Sequence, residues 1–317
     1  MRLPDESFCQ VGEVTLCYEC FGRPEDPPLL LIMGLGMQMI AWDEEFCAGL
    51  VERGFRVIRY DNRDSGRSTH FDWVAPPTVT ELARRRVTPA YLLRDLAADA
   101  VGLLDHLQID CAHVVGASMG AMIAQTLGVW SPARVRSLVS IMGATGSRLS
   151  GQPSPRVLPF FVRPTPTDRA AAMDRAMRLF AQIRSPGYEA DEPRLRAMLE
   201  LAFDRGSSPA ATARQLGAIV ASGDRRPELA RIVAPTMVIH GMADPLVRPS
   251  GGRATADAIP GADLLLLSGM GHDLPRGLWP LLSDVIAANA RRASPSSREA
   301  AALHRLDELG QDVGQLE

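Results

Sequence analysis

Ala112-His113-Val114-Val115-Gly116-Ala117-Ser118-Met119-Gly120-Ala121-Met122-Ile123-Ala124-Gln125-Thr126-Leu127 is the stretch that decides how this chain folds. The apolar run Ala112-His113-Val114-Val115 reads as a buried strand, and the stretch from Ala121 reads as a helix rich in small residues. A serine at that junction is forced into a tight turn with strained backbone angles, which lifts its hydroxyl clear of the sheet. Gly116 and Gly120 flank it because a Cβ at either position would collide across the turn. The helix that begins there aims its first N–H groups at whatever meets the Ser118 hydroxyl.

The same alternation continues on both sides. Phe8 to Phe21 reads as an antiparallel hairpin turning at Gly12-Glu13. Pro28-Leu29-Leu30-Leu31-Ile32-Met33 is strand-like and precedes a helix near Asp43 to Arg53. Arg56-Val57-Ile58-Arg59-Tyr60 precedes a polar loop and a helix near Ala90 to Leu107. After the Ser118 helix, which runs to about Ser131, strands recur at Val135 to Met142, Thr236 to His240 and Asp263 to Leu267, with a last helix near Leu278 to Arg292. Continuous apolar runs alternating with amphipathic helices predict an α/β fold, a mostly parallel doubly wound sheet covered on both faces, with right-handed crossovers.

The alternation breaks once. From Gly143 to about Arg225 there is no strand pattern; prolines at 153, 155, 159, 164 and 166 lead into helical stretches near Asp168 to Ile183, Glu192 to Asp204 and Ala210 to Ser222. An all-helical insertion between two core strands reads as a cap over the carboxyl ends of the strands, where the sites of open α/β sheets lie. The expected organisation is a core of residues 1–142 and 226–292, a helical cap of 143–225, and a tail of 293–317. The tail opens on Ser294-Pro295-Ser296-Ser297 and continues either flexible or as a short helix with Leu303, Leu306 and Leu309 at helical spacing.

Composition removes other classes. The 317 residues are 46% hydrophobic with a net charge of -3, and basic residues are mixed with acids along the chain. No basic stripe points to nucleic acid, and Arg84-Arg85-Arg86 is short enough for a solvated helix or loop face. The first residues carry acids and proline where a leader would be apolar. The uncharged stretch Val114 to Ala124 is far below the ~18 residues of a membrane span. A cytoplasmic protein with no membrane partner is expected. The five cysteines are odd in number and scattered; Cys17-Tyr18-Glu19-Cys20 has no second pair to complete a zinc site and reads as part of a strand. No ligand cluster implies a metal, and no phosphate loop implies an organic cofactor. The oligomeric state, monomer or homodimer, is left open.

A serine hydroxyl is a poor nucleophile until a base takes its proton. Of the six histidines, His272 in Ser268-Gly269-Met270-Gly271-His272-Asp273 follows the last apolar strand in a glycine-rich loop that can carry it over the sheet edge. His113 lies within a strand, His106 on a helix, His70 in a polar loop and His304 in the tail, while His240 ends a strand. An imidazole in this role needs a carboxylate to set its tautomer. Asp244, in Gly241-Met242-Ala243-Asp244-Pro245, follows a strand at its carboxyl end, and no Asp or Glu lies between Arg136 and Asp168 to compete. The oxyanion of an attacked carbonyl needs N–H donors. Met119 should supply one, and Leu35 in Met33-Gly34-Leu35-Gly36 the other.

Together Gly116-Ala117-Ser118-Met119-Gly120, His240-Gly241-Met242-Ala243-Asp244, Gly271-His272 and Asp61-Asn62-Arg63-Asp64-Ser65-Gly66-Arg67-Ser68 resemble the α/β-hydrolase superfamily over roughly residues 8 to 292. Within it, Leu31 to Gly36 and the Asp61-Asn62-Arg63 loop look like the esterases related to aclacinomycin methylesterase. The resemblance implies carboxylic ester hydrolysis through an acyl-enzyme, in the chain order Ser118, Asp244, His272. Met33-Gly34 stands where most members have His-Gly, which changes the polarity of the pocket floor but not the backbone donor. Dehalogenases and epoxide hydrolases of this fold need an aspartate at position 118. Lactonases, carbon–carbon bond hydrolases and perhydrolases share the triad and remain alternatives, and a hydrolase-fold ligand-binding protein is the non-enzyme alternative. Thirteen methionines suit an adaptable cavity. Met33, Gly34, Met37 and Met142, with Phe160, Phe161 and Met177 from the cap, are the expected lining for a medium or bulky apolar ester or lactone.

Overall fold

A computed structural model describes residues 5–162, 166 and 168–293, Phe161 and Val162 by their backbone alone. The expected tail therefore lies, from residue 294 on, outside the described residues. The strands are β1 (Ser7–Val11), β2 (Val14–Phe21), β3 (Pro28–Ile32), β4 (Arg56–Tyr60), β5 (Ala112–Ala117), β6 (Val135–Ile141), β7 (Thr236–Gly241) and β8 (Asp263–Leu267). The helices are α1 (Glu44–Val51), α2 (Val79–Arg84), α3 (Leu93–His106), α4 (Met119–Trp130), α5 (Pro159–Val162), α6 (Arg169–Ile183), α7 (Glu192–Gly206), α8 (Pro209–Ser222), α9 (Arg226–Leu229), α10 (Ser250–Ala258) and α11 (Trp279–Arg291). None of the helices is long and apolar enough to cross a membrane, among the described residues.

The eight strands form one sheet in the order β1-β2-β4-β3-β5-β6-β7-β8. The β1–β2 hairpin is antiparallel and β2 pairs antiparallel with β4; every later pairing is parallel. β5 lies inside this sheet, between β3 and β6, and all six of its residues are buried. Successive side chains of a strand point to opposite faces, and the two apolar layers divide accordingly. Leu30, Ile32 and Val114 join α3 and α4 on one face. Leu29, Leu31 and Val115 join α1 and α11 on the other. This is the doubly wound α/β-hydrolase sheet that the sequence predicts, and the strands fall within a residue or two of the expected spans.

Register brings the carboxyl ends of the parallel strands to one rim. Ile32 pairs with Gly116, Ala117 with Ile141, Ile141 with Ile239, and Gly241 with Leu267. The loops that follow β3, β4, β5, β7 and β8 thus leave the sheet side by side, β4 ending level with β3 through the Ile32–Tyr60 pair. Between β6 and β7 the described residues contain only helices, α5 to α9, and three of their segments reach these rim loops. Gln215 of α8 accepts from Gly36 N–H at 2.8 Å and donates to the Arg63 carbonyl at 2.9 Å. Arg205 of α7 pairs with Asp61, and Arg214 of α8 with Asp64 at 2.7 Å; all four side chains are at most 2% exposed. The turn after α6 supports the loop after β8, as described below.

Candidate active site

Ser118 takes φ 57 and ψ -117, a backbone conformation that L residues rarely adopt. It is the only residue between Ala112 and Val129 that is not buried. Two glycines make that turn possible. A Cβ on Gly116 would strike the Gly120 carbonyl, and one on Gly120 would strike the Ile32 carbonyl of the neighbouring strand. Ser118 N–H is held by the Ile141 carbonyl at 2.9 Å, which ties the turn to β6.

His272 Nε2 lies 2.9 Å from Ser118 Oγ, and His272 Nδ1 lies 2.7 Å from Asp244 Oδ2. An ionised carboxylate only accepts, so Nδ1 carries the proton and Nε2 is left to accept from the serine hydroxyl. Asp244 is itself fixed: its Oδ1 accepts from Leu246 N–H at 2.8 Å and Val247 N–H at 2.9 Å. Burial alone would raise the Asp244 pKa, but the charges and hydrogen bonds of His272 and His240 outweigh it and hold the carboxyl at about 2. The three residues named from sequence therefore converge although 154 positions separate Ser118 from His272.

The loop of His272 rests on the helical insertion. His272 N–H donates to the Ile183 carbonyl at 2.7 Å, Gly271 N–H donates to Ser185 Oγ at 2.8 Å, and Gly187 N–H donates to the Gly269 carbonyl at 3.0 Å. Ser185 Oγ donates in turn to Asp273, which keeps that carboxylate away from the imidazole. Gly271 packs so closely here that a Cβ would meet the Ile183 and Arg184 carbonyls. No pattern in the sequence marks Ser185, because its role exists only once the turn after α6 meets the loop after β8.

The loop after β3 is braced by the loop after β4. Asn62 Nδ2 donates to the Met33 carbonyl at 3.0 Å, Asp61 Oδ1 accepts from Met39 N–H at 2.7 Å, and Ser65 Oγ donates to the Met37 carbonyl at 2.7 Å. These bonds give the Asp61-Asn62-Arg63 motif a physical role, which is to set the path of residues 33 to 39. Gly34 passes against the serine, since a Cβ there would lie 2.9 Å from Ser118 Cβ. Neither Leu35 N–H nor Met119 N–H is engaged in a hydrogen bond among the described residues.

His240 is a residue that sequence reasoning undervalued. It is fully buried, its Nε2 donates to the Val247 carbonyl at 2.7 Å, and the same nitrogen lies 3.5 Å from Asp244 Oδ2. Asp244 thus has an imidazole on each side. Of the residues expected to line a pocket, Met33 and Met142 are buried in the apolar layer beneath the rim, and Met37 packs partly buried against it. Met177 of α6 and Phe160 of α5 are half-buried. The side chain of Phe161 lies outside the described residues.

The profile of the alpha/beta hydrolase fold family matches residues 27–275, and the chain belongs to that family. Rhodomycin D methylesterase DauP of Streptomyces sp. (strain C5) is 33% identical over 304 residues, covering 89% of this chain and 97% of that protein. The 3-oxoadipate enol-lactonase 2 of Acinetobacter baylyi is 28% identical over 252 residues, covering 78% of this chain and 82% of that protein. Among solved structures, the enol-lactonase from Burkholderia xenovorans LB400 superposes with a TM-score of 0.70 at 25% identity, covering 89% of this chain and 99% of that one. The chain is accordingly an enzyme of the α/β-hydrolase type.

Proposed function

We propose that this enzyme is a serine-dependent carboxylic ester hydrolase working through an acyl-enzyme, with Ser118 as nucleophile, His272 as base and Asp244 as its orienting carboxylate. The observation that carries the reading is the continuous Asp244–His272–Ser118 relay, 2.7 Å and 2.9 Å long in its two links. Ser118 Oγ attacks the ester carbonyl while His272 Nε2 takes its proton. The oxyanion is received by Leu35 N–H and Met119 N–H, two donors that have no other acceptor among the described residues. The alcohol leaves with the proton from His272, and a water activated by the same nitrogen then releases the acid. Asp244, held at about 2, stays ionised throughout.

Residues 143–225 act in this reading as a cap, for which the contacts of α6, α7 and α8 with the rim loops are the support. The substrate is a small molecule, a medium or bulky apolar ester. Met33, Gly34, Met37, Met142, Met177, Phe160 and Phe161 are its proposed surroundings, and the cytoplasm its setting. The likeness to rhodomycin D methylesterase makes a small alcohol on a bulky acid the first candidate. A lactonase is the second reading, favoured by the likeness to the enol-lactonases. The test is hydrolysis of a series of methyl esters and lactones of graded acid size by the wild type and Ser118→Ala. Turnover of methyl esters that is lost in the variant supports the first reading, turnover of lactones alone supports the second, and activity that survives in Ser118→Ala refutes both.

A further inference from the structure

A cleft of about 770 Å³ opens between the turn after α2, the segment that follows β6 and the end of α8. None of Ser118, Asp244, His272, Leu35 or Met119 lines it. Its size is that of a small-molecule site, and its charge is one-sided. Arg85, Arg86, Arg148 and Arg226 face a single lining carboxylate, Asp224. Asp224 is taken by Arg226 at 2.6 Å, whereas Arg85, Arg86 and Arg148 have no carboxylate within ion-pair distance among the described residues. Between these arginines the walls are apolar: Val87, Leu92, Val220 and Leu149, the last 89% exposed.

A second observation lies directly behind the wall. Arg225 is 3% exposed, and its Nη2 donates to Gln125 Oε1 at 2.9 Å and the Ala144 carbonyl at 2.6 Å. Its Nε and Nη1 are buried without any acceptor, and no carboxylate lies within ion-pair distance among the described residues. Burial pulls its pKa down to about 10. A buried guanidinium with two unused donors is costly unless an anion completes it. Gly146 and Gly223 of the cleft wall lie against Arg225: a Cβ on Gly146 would lie 3.5 Å from Arg225 Nη1 and would strike the Gly223 carbonyl, which closes the wall there. Gln125 is two helical turns, roughly 10 Å, along α4 from Ser118, so this guanidinium belongs to a place apart from the serine.

We propose that this cleft is a second binding site, for an amphipathic anion whose carboxylate or phosphate head is held by Arg148, Arg85 and Arg86, with the buried charge of Arg225 behind the wall adding to their field. Its apolar body, of medium length, runs along Leu92, Leu149 and Val220. The chemistry is shared by a free aliphatic acid, including an acid released by ester hydrolysis, and by an alkyl phosphate. The site stands independently of the esterase reading, since it uses none of the same residues.

Titration calorimetry of the full chain with octanoate, octyl phosphate, octanol and inorganic phosphate tests it. At least one of the two amphiphiles should bind more tightly than about 1 mM, and octanol and inorganic phosphate should each bind at least about tenfold more weakly. The preferred head then identifies the source. In Arg86→Ala/Arg148→Ala, two exposed positions, the affinity should fall by about tenfold or more. Should that protein fail to fold, Arg148→Glu alone must show the same loss. Binding that is unchanged in the variants, or equally tight for octanol, overturns the proposal. So does binding that disappears only when Ser118 is blocked by a phosphonate, because the ligand would then sit at the serine.

Discussion

Replacing Asp244 by Asn tests the relay without altering its shape. The orientation of the new amide follows from the structure. Leu246 and Val247 N–H both point at Oδ1, at 2.8 Å and 2.9 Å, so the amide oxygen must take that place. Turning the amide over would set its NH2 against two backbone donors and abandon two hydrogen bonds, at about 1–3 kcal/mol each. The NH2 therefore faces His272 Nδ1, which can then only accept, and the imidazole proton moves to Nε2. There it donates to Ser118 Oγ instead of accepting from it. The base is present, correctly placed and in the wrong tautomer. The expected loss is about 10⁴ in kcat, or about 5.5 kcal/mol of barrier, with KM changed only a few-fold and the fold retained. Steady-state hydrolysis of p-nitrophenyl butyrate, with the acyl-enzyme burst recorded in the same samples, measures it. A fall of less than about tenfold in kcat would show that His272 does not depend on Asp244, and the proposed mechanism would fail.

Four further outcomes follow from particular residues. Ser118 stores backbone strain at φ 57, so Ser118→Gly should be about 1 kcal/mol more stable than Ser118→Ala in urea unfolding; equal stabilities would remove the strain. Gly34→Ala pushes a methyl to 2.9 Å from Ser118 Cβ and displaces the adjoining Leu35 N–H, so kcat should fall by about 10²–10³ with little change in KM. Arg214→Leu leaves Asp64 buried with its charge and should destabilise the fold by about 3–5 kcal/mol in denaturant titration, much of it recovered by adding Asp64→Asn. Burial, helped by Arg136, holds the pKa of His113 down to about 4 from 6.5. The fold prefers its neutral form, so this contribution is complete above about pH 6.5 and is lost as pH falls through about 4, amounting to about 3 kcal/mol. Stability curves of the wild type should show that decline between those values, and His113→Asn should not.

Much of the fold was legible because it depends on local patterning. Strand β3 is an uninterrupted apolar run, β5 and β8 are broken only by His113 and the leading Asp263, and the Ser118 turn announces itself through the two glycines that exclude side chains. Helices α2 and α10 were not anticipated; α2 has no buried residue and α10 carries two adjacent glycines at its start, so neither has the apolar stripe on which periodicity relies. At the site, Ser118, Asp244 and His272 could be named because each follows a strand in a turn of distinctive composition. His240 could be seen but not valued, since its importance lies in a 3.5 Å approach to Asp244 that only the curl of residues 241–247 creates. Ser185 and Arg225 carried no signal at all. Each acquires its role from a neighbour more than eighty residues away, Gly271 in one case and Gln125 in the other.

The dependence of the His272 loop on the turn after α6 bears on how this enzyme could be refitted for other substrates. Exchanging its helical insertion wholesale for that of a relative would also exchange the Ile183 carbonyl and the Ser185 hydroxyl, on which the main chain at 271 and 272 leans. A graft made that way risks loosening the imidazole while meaning only to reshape the chamber. Retaining residues 183–187 from the recipient, and transplanting only what lies on either side, would let selectivity be altered while the proton relay keeps its footing.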